Sequence, residues 1–114
     1  MRHTTRVAAR DVAEVRRELS ASLFGNRAAV DVVAAIERLT ARGESVVTTR
    51  MVASMTELGD SVVRPVMRRL HAAGAVSALA RAGGVRSPRP YQVQEGELWE
   101  ALTTLCRVIT EGPQ

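Results

Sequence analysis

The sequence contains no lysine: all 16 basic side chains other than histidine are arginine. It has one cysteine, Cys106, and only three aromatic residues, Phe24, Tyr91 and Trp99, among 114. It lacks any run of the roughly 18 apolar residues that a membrane-spanning helix needs. Each shortage excludes something. A single cysteine forms no internal disulfide and offers no cysteine cluster for a metal. The N-terminal MRHTTRVAARDVAEVRREL has charges throughout and no continuous apolar segment, so it does not read as a secretory signal, and the expected location is the cytoplasm. With so few aromatics, Val, Leu, Ala and Met must build the core. Catalytic groupings are missing as well. His3 and His71 have no obvious serine or cysteine partner. Arg81-Ala82-Gly83-Gly84-Val85-Arg86 has glycines but not the lysine or strand-to-helix setting of a phosphate loop. The expectation is a protein that is not an enzyme, with no cofactor and no metal.

What is present is a soluble globular composition, 46% apolar and 25% charged, in a chain of one-domain length, 1–114. The net charge of +4 suits a polyanionic partner, although a charge of this size on a small domain also serves solubility. Arginine is the better fork for phosphate and guanine. A GC-rich genome would also favour Arg, Ala and Val, and composition alone does not separate the two causes.

Hydrophobic spacing predicts mainly helix with a small β-hairpin, an α+β class. In residues 5–24, Val7, Val12, Val15, Leu19 and Leu23 recur at helical intervals, with Arg10, Asp11, Glu14, Arg17 and Glu18 on the other side. Gly25 breaks this helix, and Asn26 is suited to cap the next. Residues 27–42 form a second, central helix with Val30, Val33, Ile36 and Leu39, ended by Gly43. Ser45 to Val47 suit one short strand. Thr48 or Thr49 caps a third helix running through Met55, and TELGD leads into a fourth. Two short helices joined by a glycine-containing turn are the helix-turn-helix pattern. Strands around Val76–Leu79 and Tyr91–Val93 flank a Gly-, Pro- and Arg-rich turn. A last helix spans 95–110, with Leu98, Leu102, Leu105 and Ile109 in one stripe and Trp99 and Cys106 beside it.

The fourth helix is the most informative segment. At about 100° per residue, Val62, Val63, Val66, Met67, Leu70 and Ala73 fall on one side of GDSVVRPVMRRLHAAG. Ser61, Arg64, Pro65, Arg68, Arg69, His71 and Ala72 fall on the other. With Asp60 or Ser61 as N-cap, Pro65 is the fourth or fifth helical residue and forfeits only one early hydrogen bond. Its ring is either merely tolerated there or packs against a thymine methyl.

This order of elements, with Val63, Met67 and Leu70, then Ala73-Gly74 and a strand from Val76, resembles the winged helix-turn-helix regulators of the MarR/ArsR type. The resemblance covers a core of residues 26–94 with flanking helices at both ends. It implies a recognition helix, 61–73, in the major groove of double-stranded DNA and a wing, 81–89, on the adjacent backbone or minor groove. Ser61, Arg64, Pro65, Arg68 and Arg69 would then face the groove. Thr48, Thr49 and Arg50 would meet a phosphate, and Arg81, Arg86 and Arg89 would arm the wing. It further implies a homodimer, with Val15, Leu19, Leu98, Trp99, Leu102, Leu105 and Ile109 as interface candidates, though Trp99 equally suits the core. The implied function is a sequence-specific, dimeric transcriptional repressor associated with the nucleoid. Two other readings remain open, a winged-helix protein-interaction module and a DNA-binding nucleoid or partition protein without a regulatory role. Cysteine-based metal sensing does not fit one cysteine. Cys106 beside an apolar stripe suits a buried thiol better than a redox sensor, and no residue pattern calls for a small-molecule effector.

Overall fold

The structure, a computed structural model, describes residues 4–81, 83–84 and 88–111. Five helices and three short strands follow in the order α1 (Thr4–Phe24), α2 (Ala29–Ala41), β1 (Val47–Thr48), α3 (Thr49–Thr56), α4 (Asp60–Ala73), β2 (Val76–Ala78), β3 (Pro90–Val93) and α5 (Glu97–Glu111). The protein is therefore mainly α with one small antiparallel sheet. No single helix among the described residues is long and apolar enough to cross a membrane.

The α2 helix lies at the centre. Val30, Val32, Val33, Ala35, Ile36 and Leu39 cover so much of its circumference that it must be packed on several sides, and α1, α3, α4 and α5 all contact it. Val52, Val63, Val66, Met67, Val76, Tyr91, Trp99 and Cys106 complete the core. β-Branched and aliphatic side chains do most of this work, as the scarcity of aromatics requires.

The link between α1 and α2 differs from the sequence expectation. Asn26 does not cap α2. Its side-chain oxygen accepts from the Ala28 N–H at 2.7 Å, forming a turn. The cap comes instead from Ser20 on α1, which is fully buried. Its hydroxyl donates to the Asn26 carbonyl at 2.5 Å and accepts the Val30 N–H at 3.1 Å. A donor left open at the start of α2 is thus satisfied from the neighbouring helix.

β1 is shifted from the expected 45–47, because Thr48 both ends the strand and caps α3 by accepting the Met51 N–H. β1 also adds a third strand to the expected hairpin. The order is β1-β3-β2, with Tyr91 opposite both Val47 and Ala78. α3 stops at Glu57, which is in the left-handed region at φ 61. The α4 helix begins one residue earlier than expected, with Gly59 as N-cap, so Pro65 is its sixth residue. The proline leaves the Ser61 carbonyl without its helical donor, but Ser61 is exposed and water can supply one. Gly74, at φ 87, ends the helix, and the Ala75 N–H returns to the Leu70 carbonyl.

The α4 wheel needs one correction. Val63, Val66, Met67 and Leu70 are buried, but Val62 is 42% exposed and Ala73 is exposed. Both lie at the edge of the apolar arc, with Val62 about 90° from its centre, so neither reaches the core.

A candidate nucleic-acid interface

The side chains of α4 point in three directions. The line opposite the buried arc holds Ser61, Pro65, Arg68 and Ala72, all exposed. One flank, Asp60, Arg64 and His71, turns toward the hairpin. The other, Val62 and Arg69, turns toward α1. The spacing of four, four and three from Asp60 to Arg64, Arg68 and His71 keeps these residues along one side of the helix.

Between that side, the start of α3 and the hairpin lies an open groove of about 570 Å³. Thr49 and Arg50 enter from α3, and Arg64, Arg68 and His71 from α4. Arg81, Pro88 and Arg89 come from the β2–β3 connection. Five arginines therefore share the groove with one acidic residue, Asp60. Tyr91 forms part of the floor, and His71 stands edge-on to its ring with centroids 6.4 Å apart. Arg89 donates to the Leu79 carbonyl at 3.3 Å across the base of the hairpin, which fixes its direction.

Charge pairing divides the molecule. Away from the groove, Arg16 binds Asp31 at 2.8 Å and Arg107 binds Glu37 at 2.6 Å. Glu14 takes both Arg17 and Arg27, and Arg27, with a smaller contribution from Arg17, holds its carboxyl below the usual range. Arg50, Arg64, Arg68, Arg81 and Arg89 have no acidic partner within 4 Å among the described residues. Arg38 and Arg42 are also unpaired, but they stand on and just after α2, outside the groove. Most of the unbalanced positive charge of the described residues thus gathers on one face, where an anion meets little carboxylate repulsion.

Most of the expected binding residues meet at this face. Thr49, Arg50, Arg64, Arg68, Arg81 and Arg89 line the groove, and Ser61 and Pro65 lie on its outer ridge. The Thr48 oxygen is committed to the α3 cap, leaving its O–H as the group free to donate. Arg69 is a correction. Its guanidinium turns away from the groove and donates to the Phe24 and Gly25 carbonyls at 3.2 and 3.4 Å, closing the C-terminus of α1. Arg86 lies outside the described residues. Sequence reasoning did not place Asp60, His71 or Tyr91 at the site. The Arg68–His71 spacing of three was a usable signal, whereas the position of Tyr91 depends on strand register.

The expected interface residues separate into two groups. Val15, Leu19, Leu98 and Leu105 are exposed. Trp99 is only 6% exposed, and Leu102 and Ile109 pack against the core. Trp99 therefore serves its own core, because α5 turns that edge onto α2.

Among the described residues no group of His, Cys, Asp and Glu could hold a metal ion. Cys106 is buried, and burial with the nearby Glu37 carboxylate pushes its thiol up to about 11. It stays protonated at neutral pH and is a poor nucleophile. Set against known proteins, the chain matches no family model, no curated sequence and no solved structure.

Proposed function

We propose that this protein is a sequence-specific double-stranded DNA-binding regulator, a repressor that acts by occupying its site, built as a winged helix-turn-helix. The α4 helix enters the major groove and the hairpin after β2 lies on the adjacent backbone or minor groove. One observation carries this reading: five arginines from three separate elements converge on one groove without a carboxylate partner.

The chemistry divides by position. Arg68, on the outermost line of α4, reads a guanine through its O6 and N7 acceptors. Pro65 and Ala72 on the same line present small apolar surfaces to thymine methyls. Arg50, at the start of α3, and Arg81 and Arg89, at the hairpin, take phosphates and set the register. Arg64, between them, takes the phosphate nearest the hairpin. Asp60 repels a misplaced backbone and so limits how far α4 can slide.

Selection from a pool of random duplexes tests the proposal. The expected result is an enriched motif containing guanine, with that position relaxed by Arg68→Ala. No enrichment over the starting pool would refute sequence-specific recognition.

A further inference from the structure

The outermost line of α4 is made of Ser61, Pro65, Arg68 and Ala72, all exposed and within about 60° of one another around the axis. Its chemistry is one-sided. Arg68 only donates, Pro65 and Ala72 offer carbon, and the Ser61 hydroxyl is the one side-chain acceptor on the line. The α4 helix has no glutamate, asparagine or glutamine, and its one carboxylate, Asp60, turns into the groove beside the hairpin. In the major groove the amino groups of cytosine and adenine call for an acceptor, which this line hardly supplies. What it matches is a guanine, through O6 and N7, and the C5-methyl of a pyrimidine.

Pro65 is the residue that needs explaining. A proline inside a helix costs stability, and this one is exposed and outside the core, so no packing offsets that cost. Its ring has no rotamers to freeze and presents a rigid apolar surface. The spacing then joins it to Arg68. Residues three apart on a helix are neighbours, about 5–6 Å between Cβ atoms, and a long helical side chain leans back over the turn before its own Cα. The Arg68 stem therefore leaves α4 beside the Pro65 ring. Successive base pairs are about 3.4 Å apart, so a methyl under the ring and a guanine under the fork fall on adjacent pairs.

We propose that α4 reads a guanine next to a 5-methylpyrimidine, and that the protein thereby distinguishes DNA carrying 5-methylcytosine from unmethylated DNA. The inference rests on the DNA-binding reading above and adds to it the recognition of a modified base. Thymine supplies the methyl in plain DNA, and 5-methylcytosine supplies the same group, at the same ring position, in modified DNA. Burying one methyl against the ring is worth roughly fourfold in affinity.

Fluorescence anisotropy on the duplex enriched from the random pool tests the proposal. Each base pair flanking the guanine is varied in turn between thymine and uracil, which lacks the methyl, and between cytosine and 5-methylcytosine. At one flank the wild-type protein should favour thymine over uracil, and 5-methylcytosine over cytosine, by roughly fourfold each. Pro65→Ala should bring both ratios below about twofold. Alanine restores the N–H that proline lacks and the helical bond to the Ser61 carbonyl with it, so this variant should fold. Ratios of one at both flanks would overturn the inference and leave the DNA-binding reading standing, and so would a methyl preference that Pro65→Ala keeps in full. Discrimination of thymine from uracil without discrimination of 5-methylcytosine from cytosine would overturn the sensing of methylation. A pool that yields no motif would overturn this inference and sequence-specific recognition together.

Discussion

Two adjacent arginines on α4 are assigned different work, and exchanging each for alanine separates them. Arg68 stands on the outermost line of the helix, exposed, at the groove, and without a carboxylate partner. Arg68→Ala should cost about 1–3 kcal/mol of binding to the preferred site, roughly 5- to 150-fold in Kd, if its fork reads a guanine. It should leave the melting temperature unchanged, because no internal contact is lost. Arg69 donates at 3.2 and 3.4 Å to the carbonyls that end α1. Both bonds are exposed and long, so their loss together with the favourable charge at a helix C-terminus should cost only about 0.3–1 kcal/mol of stability. For a domain of this size that is about 1–4 °C in melting temperature. Arg69→Ala should leave DNA affinity within about twofold. Fluorescence anisotropy at fixed salt and a thermal melt on each variant give the four numbers. Equal losses of affinity in both variants would refute the assignment, and so would a stability loss confined to Arg68→Ala.

Three further outcomes follow from the same geometry. Arg81→Ala should reduce the slope of log K against log salt by about 0.9 with little change in sequence preference, and an unchanged slope would take the hairpin off the DNA. Ser20→Ala removes a buried donor and leaves the Val30 N–H unpaired, so urea unfolding should show a loss of about 2–4 kcal/mol at unchanged m; a loss under about 0.5 kcal/mol would mean that water replaces the hydroxyl. The raised pKa of Cys106, about 11 against 9.0 for an ordinary thiol, contributes stability that is fully present below about pH 9. That stability falls by about 2 kcal/mol as pH rises toward 11, because only the unfolded thiol ionises across that window. Cys106→Ala should flatten this part of the profile, and an identical profile would contradict the burial argument.

Most of the helical framework was legible because local signals agreed with burial. Val63, Val66, Met67 and Leu70 share one helical face and are buried. Thr48 is followed by helix, and Gly25, Gly43 and Gly74 end helices at positive φ. The failures occur where a helix has two apolar sides or where a contact is made far along the chain. On α5, Leu98, Trp99, Ala101, Leu102, Leu105, Cys106, Val108 and Ile109 spread over about 180° of the helix surface, so periodicity cannot say which edge of that broad arc meets α2. On α1 the apolar stripe is regular, but Ser20 faces inward because its hydroxyl is needed at the start of α2. Arg69 could not be told from Arg68 by sequence, since its partners lie 44 and 45 residues away. The pairing pattern of the arginines is the most useful signal for the site, and it exists only once the chain is folded.

The central claim is that the arginine groove binds duplex DNA, and the most direct test is a salt-series anisotropy titration. The gene's own upstream region supplies one labelled duplex and an unrelated sequence the other. Arg50, Arg64, Arg81 and Arg89 each on one phosphate predict a slope of about −3.6 per chain, a loss of roughly 150-fold between 50 and 200 mM salt. The account predicts this slope with tighter binding to the upstream duplex. No binding to either duplex at 50 mM salt, or an affinity insensitive to salt, would contradict it.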